Sequence, residues 1–124
     1  MPDPVLPIIR ESRLGGAPPG ATLRFTIPKN GGYTVEATLF LESKVVAAWE
    51  SIEILGKTTE EVLIPKGLYT LQIDIVFTKT ASSSVQLVFM TLDEDVQLRR
   101  RTLTFTGNTP EIGRALAILR VETP

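Results

Sequence analysis

The densest group of carboxylates in the chain is Asp93-Glu94-Asp95. Three oxygen-bearing side chains in one loop have the chemistry to bind a hard cation such as Ca²⁺. Adjacent residues point in different directions, however, and no glycine-spaced calcium loop surrounds them. We therefore favour a solvated turn between two strands, and we expect neither a metal nor another cofactor.

The only basic run is Arg99-Arg100-Arg101, and Arg10 and Arg13 lie near the N-terminus. In a strand, alternation would place Arg99 and Arg101 on one face and Arg100 on the other. Planar guanidinium groups suit carboxylates across a protein interface, so Arg10, Arg13, Arg99 and Arg101 are candidate interface residues. The alternative is an exposed sheet face, or an edge strand that its charge protects from unwanted pairing.

The side chains that commonly carry catalysis are missing, since the chain has no histidine and no cysteine. The usual general base near neutral pH and the Ser-His and Cys-His pairs are therefore absent. Gly15-Gly16 and Gly31-Gly32 lack the strand-to-helix context of a phosphate-binding loop. A pair of carboxylates is the remaining option, and nothing selects one pair among 14 acidic residues. We predict that the protein is not an enzyme.

Length and charge limit the kinds of partner that the chain is expected to bind. A chain of 124 residues fits one domain. Its net charge of -1 creates no general field that would attract nucleic acid or anionic lipid. Its apolar runs are far shorter than the ~20 residues of a membrane-spanning helix. The N-terminus lacks the pattern of a signal peptide. We expect no nucleic-acid or membrane partner, and a location in the cytoplasm or in a virion.

Residues 1–20 differ in composition from the rest, with five prolines and three glycines. Proline fixes φ and removes an amide donor, so neither a helix nor a central strand is expected there. We predict an extended arm that is dispensable for folding and attaches to a neighbour; a disordered tail is the alternative. Its apolar side chains complete the candidate interface: Val5, Leu6, Ile8 and Ile9.

From residue 21 onward, apolar and polar residues alternate with a period of two, which predicts seven or eight half-buried strands. Alternating segments include Tyr33 to Leu41 and Leu71 to Phe77. The segment Ala115 to Val121 is predicted as a final strand near the N-terminal strand, in preference to a helix. The sequence thus predicts an all-β protein, an antiparallel β-sandwich of jelly-roll type, with an arm at 1–20 and a domain at 21–124.

An internal echo supports this architecture. Ile27-Pro28-Lys29 followed by Tyr33-Thr34 recurs as Ile64-Pro65-Lys66 followed by Tyr69-Thr70. We interpret the two copies as similar hairpins in two facing sheets. This phrase resembles jelly-roll carbohydrate-binding modules, and the resemblance implies sugar binding on exposed aromatic platforms, often beside calcium.

The aromatic residues fit that role poorly. Aromatic residues make up 6% of the chain, and most fall on the apolar phase of their strands, which predicts core positions. These are Phe25, Tyr33, Tyr69, Phe77 and Phe89. For the lone indole, Trp49, we favour a core position over an interface anchor.

A β-sandwich with an extended terminus and no catalytic residues is similar in format to the small decoration proteins of tailed-bacteriophage capsids. That resemblance implies a non-enzymatic structural subunit that forms homo-oligomers and binds neighbouring protein subunits on a capsid or another scaffold. The second hypothesis is a carbohydrate- or ligand-binding jelly-roll module of a secreted protein.

Overall fold

A computed structural model describes residues 6–28, 32–50, 62–63 and 66–121 of the chain. Nine strands lie within these residues. The same residues contain no helix that is long and apolar enough to cross a membrane. The strands are β1 (Ile8–Ala17), β2 (Thr22–Thr26), β3 (Tyr33–Leu41), β4 (Lys44–Glu50), β5 (Val62–Leu63), β6 (Gly67–Phe77), β7 (Ser83–Asp93), β8 (Val96–Gly107) and β9 (Ile112–Val121).

The strands form two sheets that pack face to face. The first sheet has the order β1-β9-β6-β3-β4, and the second has the order β5-β2-β7-β8. All neighbouring strands are antiparallel except β1 and β9, which are parallel. The predicted all-β sandwich is therefore confirmed, while its assignment to the jelly-roll type stays a prediction.

Period-two alternation builds the core between the sheets. In β6, Leu71, Ile73 and Ile75 are buried while the residues between them are partly exposed. Each such aliphatic side chain contributes roughly 1.5 to 3 kcal/mol when it leaves water. The five aromatic residues predicted to lie in the core are all buried, and Phe105 joins them.

The predicted arm is, over Ile8–Ala17, a strand of the first sheet. β1 pairs with β9 from Ile8 opposite Gly113 to Ala17 opposite Val121. Proline does not prevent this because Pro7 and Pro18 flank the strand and none lies inside it. Leu14 is completely buried in the shared core. The expectation that this segment is dispensable for folding is therefore at odds with its packing.

Gly15 allows β1 to bend. The pairing of β1 with β9 shifts between Arg13 and Gly15, which is a β-bulge. Gly15 has a φ of 75°, a left-handed conformation that glycine adopts without the steric cost of a side chain. Gly15-Gly16 therefore lies at a bulge in an edge strand.

The C-terminal strand is confirmed, since β9 buries Ala115, Ala117, Leu119 and Val121 on one face. The interpretation of the internal echo as two hairpins is wrong. β2 and β5 lie in the second sheet, whereas β3 and β6 lie in the first, so each copy crosses between sheets. Local alternation does not distinguish a hairpin from a crossover, because both bury the apolar phase of their strands. Ile64 and Pro65 lie outside the described residues.

The two tyrosines of the echo are buried in the first sheet, 4% and 2% exposed for Tyr33 and Tyr69. The Tyr33 hydroxyl donates a hydrogen bond to the carbonyl oxygen of Pro28. Burial raises the pKa of both phenols above the ordinary value of 10.0, because the charged phenolate loses its hydration.

Candidate functional site

Two edge strands, one from each sheet, come together along one side of the sandwich. The Arg10 guanidinium of β1 lies 5.7 Å from the centre of the Phe105 ring of β8. Five residues further along β1, a Cβ atom built on Gly15 would lie 3.6 Å from Nε of Arg99. Residue numbers therefore rise along β1 as they fall along β8. The two strands run antiparallel beside each other without being hydrogen-bonded as a sheet.

Phe105 anchors this side of the molecule. Its ring is 1% exposed and packs against β9, where a Cβ atom on Gly113 would lie 2.9 Å from its Cδ1. Only a residue without a side chain leaves the ring this room. The guanidinium of Arg10 covers the ring from the β1 side, a cation–π contact worth about 0.5 to 1 kcal/mol at an exposed site. The contact fixes where the charge of Arg10 is presented.

The arginines of β8 alternate as predicted. Arg99 and Arg101 share the phase of the buried Phe105, and Arg100 lies on the opposite phase, across from Met90. All three are nevertheless exposed, as is every residue from Val96 to Thr102. Gly15 of β1 lies beside Arg99, where a Cβ atom would contact Nε of the guanidinium.

These arginines are not neutralised within the part of the chain that the structure describes. None of Arg10, Arg13, Arg99, Arg100 and Arg101 forms an ion pair with a carboxylate of the described residues. By contrast, Nε of Arg114 lies 2.7 Å from Oδ1 of Asp74 on the outer face of the first sheet. The guanidinium of Arg114 thus has a carboxylate partner among the described residues, whereas the five arginines named above have none there.

Exposed apolar side chains lie at both ends of the arginine group. At the start of β1, Leu6 is 79% exposed, and Ile8 and Ile9 are also exposed. At the other end, Val96 is 63% and Leu98 37% exposed. We call the surface formed by residues 6–16 and 96–105 the β1/β8 edge. Of the eight predicted interface residues, Val5 lies outside the described residues. The other seven lie at this edge, and their part in an interface stays a prediction.

Arg13 and Ile9 lie on the outer face of β1, opposite to Arg10 and Ile8. There Arg13 lines a shallow groove of 370 Å³ on the outside of the first sheet, together with Arg120, Leu68 and Ile118. Alternation explains this position: Ser12 and Leu14 on either side of Arg13 are buried against the core. The β1/β8 edge therefore includes both faces of β1.

The acidic cluster is a turn between two strands, as predicted. Asp93 pairs with Val96, and the two central residues, Glu94 and Asp95, have φ angles of 49° and 66°. Left-handed conformations at both central residues are those of a type I′ hairpin turn. Within the described residues, no group of three histidine, cysteine or acidic side chains is arranged to hold a metal ion.

Trp49 is partly buried against the core. Its ring meets that of Phe25 edge-on, with centroids 5.2 Å apart and an interplanar angle of 73°. This position agrees with the core role that the sequence favoured over an interface anchor.

The role of Phe105 and Gly113 in organising the edge was not predicted from the sequence. Phe105 follows the alternation of β8, which was the available signal. Its contact with Arg10 depends on β1, which is far from β8 in sequence.

No protein-family model, curated protein or solved structure matches the chain.

Proposed function

We propose that the protein is a non-enzymatic structural subunit that binds neighbouring protein subunits through its β1/β8 edge. The observation that carries this proposal is the group of exposed arginines without a carboxylate partner in the described residues, flanked at both ends by exposed apolar side chains. The proposal concerns binding only, and it keeps the sequence-based expectation that the protein does not catalyse a reaction.

Arginine is a favoured residue at protein interfaces because its planar fork binds a carboxylate through two parallel hydrogen bonds. The guanidinium of Arg10 lies over the Phe105 ring, and Nε of Arg99 lies beside Gly15 of β1, so less conformational entropy is lost when a partner binds. Leu6 and Ile9 add apolar surface that a partner would remove from water. The edge therefore offers both the charge and the apolar contact of a specific interface.

A virion is the setting that we propose for this subunit, with a capsid or a similar shell as the scaffold. Support comes from the format of the chain, a β-sandwich whose N-terminal strand begins in exposed apolar residues at one side of the fold. A cytoplasmic assembly of the same kind would use the same surface.

The carbohydrate-binding hypothesis receives less support from the structure. All eight aromatic residues of the chain lie in the described part, and none of them is in an exposed position. Sugar-binding platforms need an open aromatic ring on which a sugar can stack. The hypothesis would therefore require a site built from other side chains.

A matched pair of substitutions tests the proposed surface. Ile9 in β1 and Val45 in β4 are each 55% exposed and lie on opposite edges of the same sheet. We expect Ile9→Ser to weaken association at least tenfold, whereas Val45→Ser leaves it unchanged, because only the first lies on the β1/β8 edge. Light scattering measures the association at protein concentrations between about 1 and 200 µM. In this range a tenfold change in a dissociation constant of ~10 µM is resolved.

The same experiment can contradict the proposal. Equal weakening by both variants would show that association does not depend on the β1/β8 edge. A wild-type chain that stays monomeric restricts the proposal to attachment on a scaffold supplied by another protein. In that case Ile9→Ser must weaken binding to the scaffold, and unchanged binding would overturn it.

A further inference from the structure

The order of charges along β8 and the turn before it is self-complementary. The turn carries the exposed acids Glu94 and Asp95, the strand then presents the exposed apolar residues Val96 and Leu98, and the arginine run follows. Asp95 in the turn and Arg101 in the strand are each three residues from Leu98 in sequence. Acids and arginines therefore lie on either side of the exposed apolar residues.

We propose that a second copy of this chain docks on β8 in antiparallel orientation, about a two-fold axis at Gln97 or Leu98. In that arrangement the acidic turn of each copy faces the arginine run of the other. In a two-fold interface each contact occurs twice, so one complementary pair of charges becomes two. Val96 and Leu98 lie between the two charged segments of each copy and lose contact with water.

The charge order limits where the axis can lie. An axis at Arg99, Arg100 or Arg101 would place an arginine directly opposite its own copy, and like charges in that position are destabilising, whereas an axis at Gln97 or Leu98 places the acidic turn opposite the arginine run. The bulge of β8 at Leu98, where its pairing shifts between Thr91 and Leu92, interrupts a regular backbone ladder. Side chains therefore carry the contact, and backbone hydrogen bonds between the copies are not required.

The inference rests on the proposed function, since it names the neighbour that the β1/β8 edge binds, but it uses a different part of that edge. The Ile9→Ser test concerns β1, whereas the charges discussed here lie on β8 and its turn. Failure of one can therefore be distinguished from failure of the other.

Charge reversal with rescue tests the inference. Sedimentation of the full-length wild-type chain should show a dimer that weakens as NaCl is raised from about 0.05 to 0.5 M, because salt screens exposed charges. Arg100→Glu with Arg101→Glu should weaken the dimer at least tenfold, and so should Glu94→Lys with Asp95→Lys. A mixture of the two variants should form a heterodimer, because each then supplies the charge that the other lost.

Lys44→Glu is the control, because Lys44 is exposed on β4, at the far edge of the first sheet, and should leave the dimer unchanged. Fluorescence of Trp49 checks that each variant is folded. Should the acidic turn tolerate lysine poorly, the arginine variant alone still decides the outcome. A monomeric wild type, a dimer that ignores both reversals, or variants that do not form a heterodimer would each overturn the inference. The inference would also be overturned if the wild-type chain bound DNA and the arginine variant lost only this binding while its dimerisation was unchanged.

Discussion

Truncation of one side chain in β1 tests whether the N-terminal segment belongs to the folded domain. Leu14 is 0% exposed and packs in the core shared by the two sheets. Leu14→Ala removes three carbon atoms and leaves a cavity, which typically costs about 2 to 5 kcal/mol. We expect about 3 kcal/mol here, because an edge strand can shift to fill part of the space.

A loss of this size is large for a domain of 124 residues, whose total stability at ~0.05 to 0.15 kcal/mol per residue is roughly 6 to 19 kcal/mol. Urea unfolding followed by fluorescence of Trp49 measures it, since that ring packs on Phe25 in the folded state. The midpoint should fall while the slope of the transition remains unchanged.

Leu6→Ala is the matched control. Leu6 is 79% exposed, so the same chemical change should alter the free energy of unfolding by less than about 0.5 kcal/mol. A Leu14→Ala variant as stable as the control would refute the reasoning. It would mean that residues 8–17 do not pack on the sandwich, and that the arm is dispensable for folding as its proline and glycine content suggested.

Three further predictions concern other parts of the fold. Gly113→Ala should lower stability by about 1 to 3 kcal/mol in thermal melts, because the new methyl group would crowd the Phe105 ring; an unchanged midpoint would show that the ring has room to move. Glu94→Asn with Asp95→Gly should raise the free energy of unfolding in urea by about 1 kcal/mol, because asparagine and glycine adopt left-handed conformations more readily than glutamate and aspartate. A lower urea midpoint would contradict the assigned turn. Because burial raises the pKa of Tyr69, the contribution of this phenol to stability should be constant below pH 10.0 and fall as pH rises through the folded-state pKa. Tyr69→Phe should make that fall shallower. An identical pH profile for the variant would argue against burial of the Tyr69 phenol as the cause.

The alternation of residue types by itself determined much of this protein. Apolar side chains at every second position predict strands and also state which face of each strand is buried, because successive residues of a strand point to opposite sides. This rule correctly placed Leu71 to Phe77 and the final strand at Ala115 to Val121, and it separated Arg99 and Arg101 from Arg100. The acidic turn also followed from local chemistry.

The tertiary structure decided which strands are neighbours. Alternation in Ile8–Ala17 is short and lies between prolines, so its membership of the first sheet depends on pairing with β9, about a hundred residues later in the chain. The same holds for the two echo segments, whose crossing between sheets leaves no local mark.

The β1/β8 edge likewise exists only in the folded chain. Arg10 and Arg99 are far apart in sequence, and they share a surface because Gly113 lets Phe105 approach β9 and Gly15 lets β1 bend beside β8. A sequence states which face a side chain takes along its own strand. Contacts between distant strands depend on the space left by the packing of the whole core, and that space is defined only once both sheets have formed.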